Sequence, residues 1–144
     1  MAVSVTFYNS YKLDLLDANI DHATGGDTIK VALVTSTYTQ DIDAHDFFDD
    51  ITNEIASSGY VAGGATLANQ ATSKDNTDDE GVFDADDVSW SALTATPRGA
   101  IIYKSTGTDS TSPLIAYVNF GQDEALTADD FSLTWDAEGI INVG

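Results

Sequence analysis

Two histidines, His22 and His45, are the only imidazoles in a chain that carries 24 aspartates and glutamates. A Ser–His–Asp relay needs a nucleophile, a base beside it and a carboxylate behind the base. Serine and aspartate are so frequent here that either histidine satisfies the composition on paper. No Gly-x-Ser-x-Gly elbow is present to hold a serine in a strained turn. Asp43-Ala44-His45-Asp46 offers metal-ligand atoms, and an acidic surface turn accounts for the same pattern. Three acidic clusters stand out: Asp41, Asp43, Asp46, Asp49 and Asp50; Asp75, Asp78, Asp79 and Glu80; and Asp84, Asp86 and Asp87. Calcium takes ~6–8 oxygens around one point, and none of the clusters has the fixed glycine and terminal glutamate of the calcium loop. Solvated loops account for all three, with Asp84, Asp86 and Asp87 the first place to look for an ion. Gly59 to Gly64, GYVAGG, lacks the Lys-Ser/Thr and the following helix of a phosphate cradle, and reads as a bend. Paired carboxylates of the glycosidase kind cannot be singled out among so many acids. The expectation is no catalytic residue, no bound cofactor and no metal.

The elements that would position such groups are mostly strands. Phe83 to Tyr103, FDADDVSWSALTATPRGAIIY, reads as two neighbouring strands joined by a loop through Pro97, with the rest of the chain pairing around them. Thr28 to Thr37, TIKVALVTST, is rich in β-branched residues and apolar on both faces, so it reads as a buried strand. Leu67 to Thr72 is a short strand, and Lys74 to Gly81 a solvated loop. Ile101 to Tyr103 and Leu114 to Phe120 form a hairpin with a polar tip between them. Gly121 to Asp130 reads as acidic loop. Phe131, Leu133 and Trp135 then alternate with Ser132 and Thr134, a half-buried strand, and Ile140 to Val143 ends the chain as another. Phe7, Tyr11, Leu15 and Ala18 share one helical face, which predicts an amphipathic helix over 7–18. Asp43 to Ile51 is a short turn or helix that Asp43 caps. The expected fold is mainly β: a sandwich or open barrel of about seven or eight short strands with the N-terminal helix packed on it. Residues 1–144 form one domain, with residues 1–6 as an N-terminal arm in which Val3 and Val5 alternate with Ser4 and Thr6.

Lys and Arg number only 5, so the formal net charge is −19. That sign argues against nucleic acid and against anionic membrane surfaces, both of which need a basic face. There is no cysteine, so disulfides and thiolate sites are excluded. The N-terminal stretch lacks a basic region followed by an apolar core, so no signal peptide is expected there. No run approaches the ~20 apolar residues of a membrane span.

Trp90, Trp135, Tyr103, Tyr117 and Phe120 fall on expected strands and read as core. Phe47, Phe48 and Tyr60 fall in loops; with Val3 and Val5 they are the candidate interface anchors, since aromatics dominate interface energetics.

Six segments, in order, carry a resemblance: NSYKLDLLDANID, DTIKVALVTSTYT, SSGYVAGGATLAN, FDADDVSWSALTATPRGAIIYK, LIAYVNFG and FSLTWDAEGII. Together they resemble a family of small proteins encoded by tailed bacteriophages and prophages among their virion structural genes. The resemblance implies a non-enzymatic virion component, with no catalytic residues to carry over. Small acidic β-rich proteins of that setting decorate the capsid exterior. The expected partners are the major capsid protein and further copies of the chain, as a homotrimer on the particle. The protein would be made in the host cytoplasm. A tail or head-fibre part that contacts the host is the alternative, and a small hydrolase is a more distant one.

Overall fold

The computed structural model describes residues 3–144. The fold is mainly β, with one α-helix near the N-terminus. In chain order the elements are β1 (Ser4–Phe7), α1 (Asn9–Leu16), β2 (Ile29–Val34), β3 (Ala65–Thr66), β4 (Ala71–Asp75) and β5 (Glu80–Asp84). They continue with β6 (Val88–Ala95), β7 (Gly99–Lys104), β8 (Leu114–Asn119), β9 (Leu126–Leu133) and β10 (Ile141–Val143). β1, β8, β7, β2 and β3 make one antiparallel sheet in that order. β10, β5 and β4 make a second, and β6 pairs with β9 as a two-stranded ribbon.

The centre of the large sheet follows directly from its sequence. β2 (IKVALV), β7 (GAIIYK) and β8 (LIAYVN) are apolar at consecutive positions, as strands covered on both faces must be. One face presents Val31, Leu33, Ala100, Ile102, Ala116 and Val118 to Tyr11 of α1 and to Phe83, Trp90, Leu93 and Ile141 of the second layer. The other presents Ala32, Val34, Ile101, Tyr103 and Tyr117 to Tyr38, Phe48 and Ile51 of the long connection after β2. Each fully buried Val, Leu or Ile there contributes roughly 1.5–3 kcal/mol.

The expected pairing of Phe83–Trp90 with Gly99–Tyr103 is corrected by the structure. The acidic break after Asp84 splits the first stretch into β5 and β6, which belong to different sheets. β6 pairs with β9 through Val88↔Leu133 and Trp90↔Phe131, whereas β7 pairs with β2 and β8. The chain through Pro97 therefore crosses between layers and does not join neighbours. β9 begins at Leu126, inside the expected acidic loop: Thr127 to Asp130 are exposed on both faces of the ribbon, so this half of the strand carries no apolar alternation to announce it. Trp135 falls beyond its end. Lys74 to Gly81 is also more ordered than expected: β4 and β5 meet there in a tight hairpin, Lys74↔Gly81 and Asp75↔Glu80.

The helix is shorter than 7–18. Phe7 belongs to β1, and Ala18 takes a left-handed φ of 57° just after the helix stops. Of the expected face, Tyr11 is buried and Leu15 half-buried. Residues 4–6 of the expected arm are built into β1, an edge strand paired with β8; Met1 and Ala2 lie outside the described residues.

Candidate functional site

Among the expected anchors, Val3 and Val5 stand together at the β1 edge of the large sheet, 61% and 48% exposed. Their side chains share a face with Val118, because Val5 pairs with Val118 across the β1–β8 ladder. They form one wall of an open apolar groove of about 560 Å³ whose floor and far wall include Val118, Phe120, Leu133 and Trp135. Trp135 is fixed in that wall from behind. Its backbone N–H donates to Asp87 Oδ1 (2.9 Å) and its indole Nε1–H to the Asp86 carbonyl (3.0 Å). Trp135, which reads as core in the sequence, is half-buried: it packs against the core cluster and also lines the groove, and nothing local shows that the strand ends at Leu133.

Phe47 is 39% exposed but lies elsewhere, in a groove beside Leu13 and Asp14 of α1. Its backbone is held by Asp50, whose Oδ2 accepts the N–H groups of Phe47 (3.0 Å) and Asp46 (2.9 Å). Those two amides hold the Asp50 carboxyl below the usual carboxylate range. The expected cap, Asp43, instead accepts from the Asn9 side chain.

Phe48 is buried and Tyr60 half-buried, against the exposure expected of loop aromatics. Phe48 is 5% exposed and stacks on Tyr103 with ring centroids 4.0 Å apart. It covers the second face of the central sheet, a position its loop setting did not reveal. Tyr60 is half-buried, and its hydroxyl donates to Glu54 Oε1 (2.6 Å) while accepting the Leu33 N–H (3.0 Å). Leu33 lies on β2 beyond the end of two-residue β3, so the phenol replaces a missing strand partner. Glu54 Oε1 also accepts the Gly63 N–H (2.6 Å), which ties the GYVAGG bend to the sheet. Tyr60→Phe is expected to lower unfolding stability by about 1–3 kcal/mol, because it leaves the buried Leu33 amide without its acceptor and takes one of two donors from Glu54 Oε1. Urea titration measures this; an unchanged midpoint would show the bond to be dispensable.

The histidines hold structural positions. His45 Nδ1 lies 3.0 Å from the Tyr38 hydroxyl and 3.2 Å from the Asp41 N–H, closing a chain that runs on to Tyr8. His22 is buried between Tyr11 and Phe83, with Nε2 2.9 Å from the Tyr11 hydroxyl and Nδ1 without a partner among the described residues. Burial pushes its pKa below 6.5, with Asp27 and Asp21 pulling the other way. The unfolded chain therefore takes up this proton first as the pH falls. The contribution is complete above about pH 6.5 and is lost progressively below it. His22→Gln should remove that part of the slope in urea midpoints measured between neutral and mildly acid pH. Parallel wild-type and variant profiles would contradict it.

The acidic residues first considered for an ion turn to separate tasks. Asp84 caps the next amide, Asp86 accepts from the Asn69 side chain, and Asp87 holds Trp135. A different trio, Asp75, Asp78 and Glu138, brings its carboxylate oxygens within 4.8 Å of one another. Asp75 Oδ1 already accepts two amides of the β4–β5 turn, which accounts for its placement. None of the described helices is long and apolar enough to cross a membrane.

No family model matches the chain, and no curated protein or solved structure does either.

Proposed function

We propose that the chain is a non-enzymatic virion structural protein of a tailed bacteriophage, a decoration (cement) protein on the capsid exterior. In this reading it binds the major capsid protein and holds neighbouring capsomers, as a homotrimer present in many copies. The observation that carries the reading is the exposed pair Val3 and Val5 at the outermost strand of the large sheet, beside an apolar groove, on a body of net charge −19. An apolar strip of that size gives a modest contact per copy. Many such contacts on one shell add through avidity. The excess of carboxylates keeps decorated particles apart in solution. The six-segment resemblance supplies the class of particle.

Counting this chain on purified particles of the phage that encodes it tests the proposal. Hundreds of copies, removable without loss of the tail, are expected. A handful in small multiples would make it a tail or head-fibre component instead, and its absence from particles would end the virion reading.

A further inference from the structure

We propose that the outer edge of β1 receives an extended strand from a partner chain, one in which apolar side chains alternate with basic ones. The inference rests on the reading of this chain as a binding protein and adds the chemistry of what it binds. The edge is defined by the ladder. Tyr8 N–H donates to the Ile115 carbonyl (3.2 Å), continuing the register Ser4↔Asn119 and Thr6↔Tyr117. In an antiparallel pair, hydrogen-bonded residues alternate with non-bonded ones. Ser4, Thr6 and Tyr8 therefore face β8, and the N–H and carbonyl of Val5 face outward. Among the described residues no hydrogen bond occupies them. Such an edge is a template for one more strand.

The two sides of that strand would meet different surroundings. On the side of Val3 and Val5, its residues would face the apolar groove and the Leu133–Trp135 wall. On the side of Ser4 and Thr6, the segment after Tyr38 lies close. Gln40 Nε2 donates to the Thr6 carbonyl (3.1 Å), and the Ile42 carbonyl accepts the Asn9 N–H (3.0 Å). That segment carries the exposed carboxylates Asp41 and Asp43. Arg98 lines this face together with Ser4 and Thr6, and its guanidinium is engaged by Asn119 Oδ1 (3.4 Å) and Asp123 Oδ1 (3.5 Å). Alternation of pleated side chains thus calls for apolar residues toward the groove and lysine or arginine toward Asp41 and Asp43. A second copy of the chain fits poorly, because it would bring another body of charge −19 against the same carboxylates.

The test uses the full chain, isotopically labelled, and a short synthetic peptide of alternating valine and lysine. Saturable shifts are expected at the amides of Val5 and Phe7 and at the Trp135 indole, weakening at high salt. Val5→Pro removes an N–H that the protein's own ladder does not use, so the variant should fold and lose about tenfold or more in affinity. Should that variant unfold, the double change Asp41→Asn and Asp43→Asn supplies the same test, with binding lost mainly at low salt. Failure of the peptide to bind, equal binding of a valine–glutamate peptide, or self-association through β1 in its absence would each overturn the inference. Copy number on particles is independent of these outcomes. A chain abundant on capsids that ignores the peptide sinks this inference alone, and a chain that binds the peptide yet is missing from particles sinks only the virion reading.

Discussion

Gly64→Ala is expected to leave the protein largely unfolded at low urea. Gly64 sits at φ 79°, where an added Cβ would lie 1.9 Å from the Val31 carbonyl oxygen and 2.7 Å from the Ala32 Cα. Both are backbone atoms of β2, so no side chain can swing away to make room. β2 cannot retreat either, being paired with β7 from Ile29↔Lys104 to Val34↔Gly99 and with β3 on its other side. The left-handed conformation alone costs an L-residue roughly 1–2 kcal/mol. Displacing a central strand raises the expected loss to about 4–5 kcal/mol, the range reserved for changes that break a core. Against a total of ~5–15 kcal/mol that is between about a third and all of the stability of a small domain. Gly25→Ala is the matched control: φ is 78°, but nothing lies within 4 Å of the added carbon. It should lose only the conformational part. Equal urea midpoints for the two variants would show that the bend at Gly63-Gly64 does not approach β2 as described.

The same contrast separates what the sequence discloses from what it conceals. β2, β7 and β8 are legible because both faces of each are buried, so every position carries the apolar signal and neither pairing nor register has to be known. The β7–β8 hairpin is legible for the further reason that only a polar tip, residues 105–113, separates two such runs. Partners across layers are not legible. Val88 to Ala95 alternates like a strand, but nothing in VSWSALTA says that its neighbour is Leu126 to Leu133 and not Gly99 to Lys104. Side-chain period gives a face, while pairing is decided by which chain segment arrives there. Loop aromatics fail for the same reason. Phe47 and Phe48 are adjacent and of one type, yet one lies against solvent and the other against Tyr103. Only the direction of the backbone at that point tells them apart. Of the candidate binding surface, Val3 and Val5 were visible from their alternation near the N-terminus. The opposite wall at Trp135 was not, because its exposure depends on where β9 stops.

Raising the pH above 10 is expected to unfold the protein cooperatively. Tyr8, Tyr11 and Tyr103 are between 0% and 2% exposed, and Tyr38 is 4% exposed. Burial pushes the phenols of Tyr8, Tyr11 and Tyr103 well above 10.0, and that of Tyr38 up to about 12. Tyr8 is pushed further by its 2.7 Å hydrogen bond to Tyr38. A phenol whose pKa is higher in the folded state gives its full contribution below pH 10 and loses it as the pH rises toward the folded value. Each phenol that stays protonated in the fold while ionised in the unfolded chain removes about 1.4 kcal/mol per pH unit above 10. Tyr8, Tyr11 and Tyr103 together remove roughly 4 kcal/mol per unit, enough to exhaust a marginal stability of ~5–15 kcal/mol within a few pH units. Absorbance of tyrosinate and loss of native tryptophan fluorescence should therefore rise in one shared transition. Tyr8→Phe makes the sign visible. At neutral pH it costs about 1 kcal/mol, because the Tyr38 hydroxyl keeps only its bond to His45. It also flattens the alkaline slope by about 1.4 kcal/mol per unit, so the variant should become the more stable of the two above about pH 11. Stepwise tyrosine ionisation near pH 10 with native fluorescence intact would mean that these rings are open to water, and the second core face built on Tyr8, Tyr38 and Tyr103 would have to be redrawn.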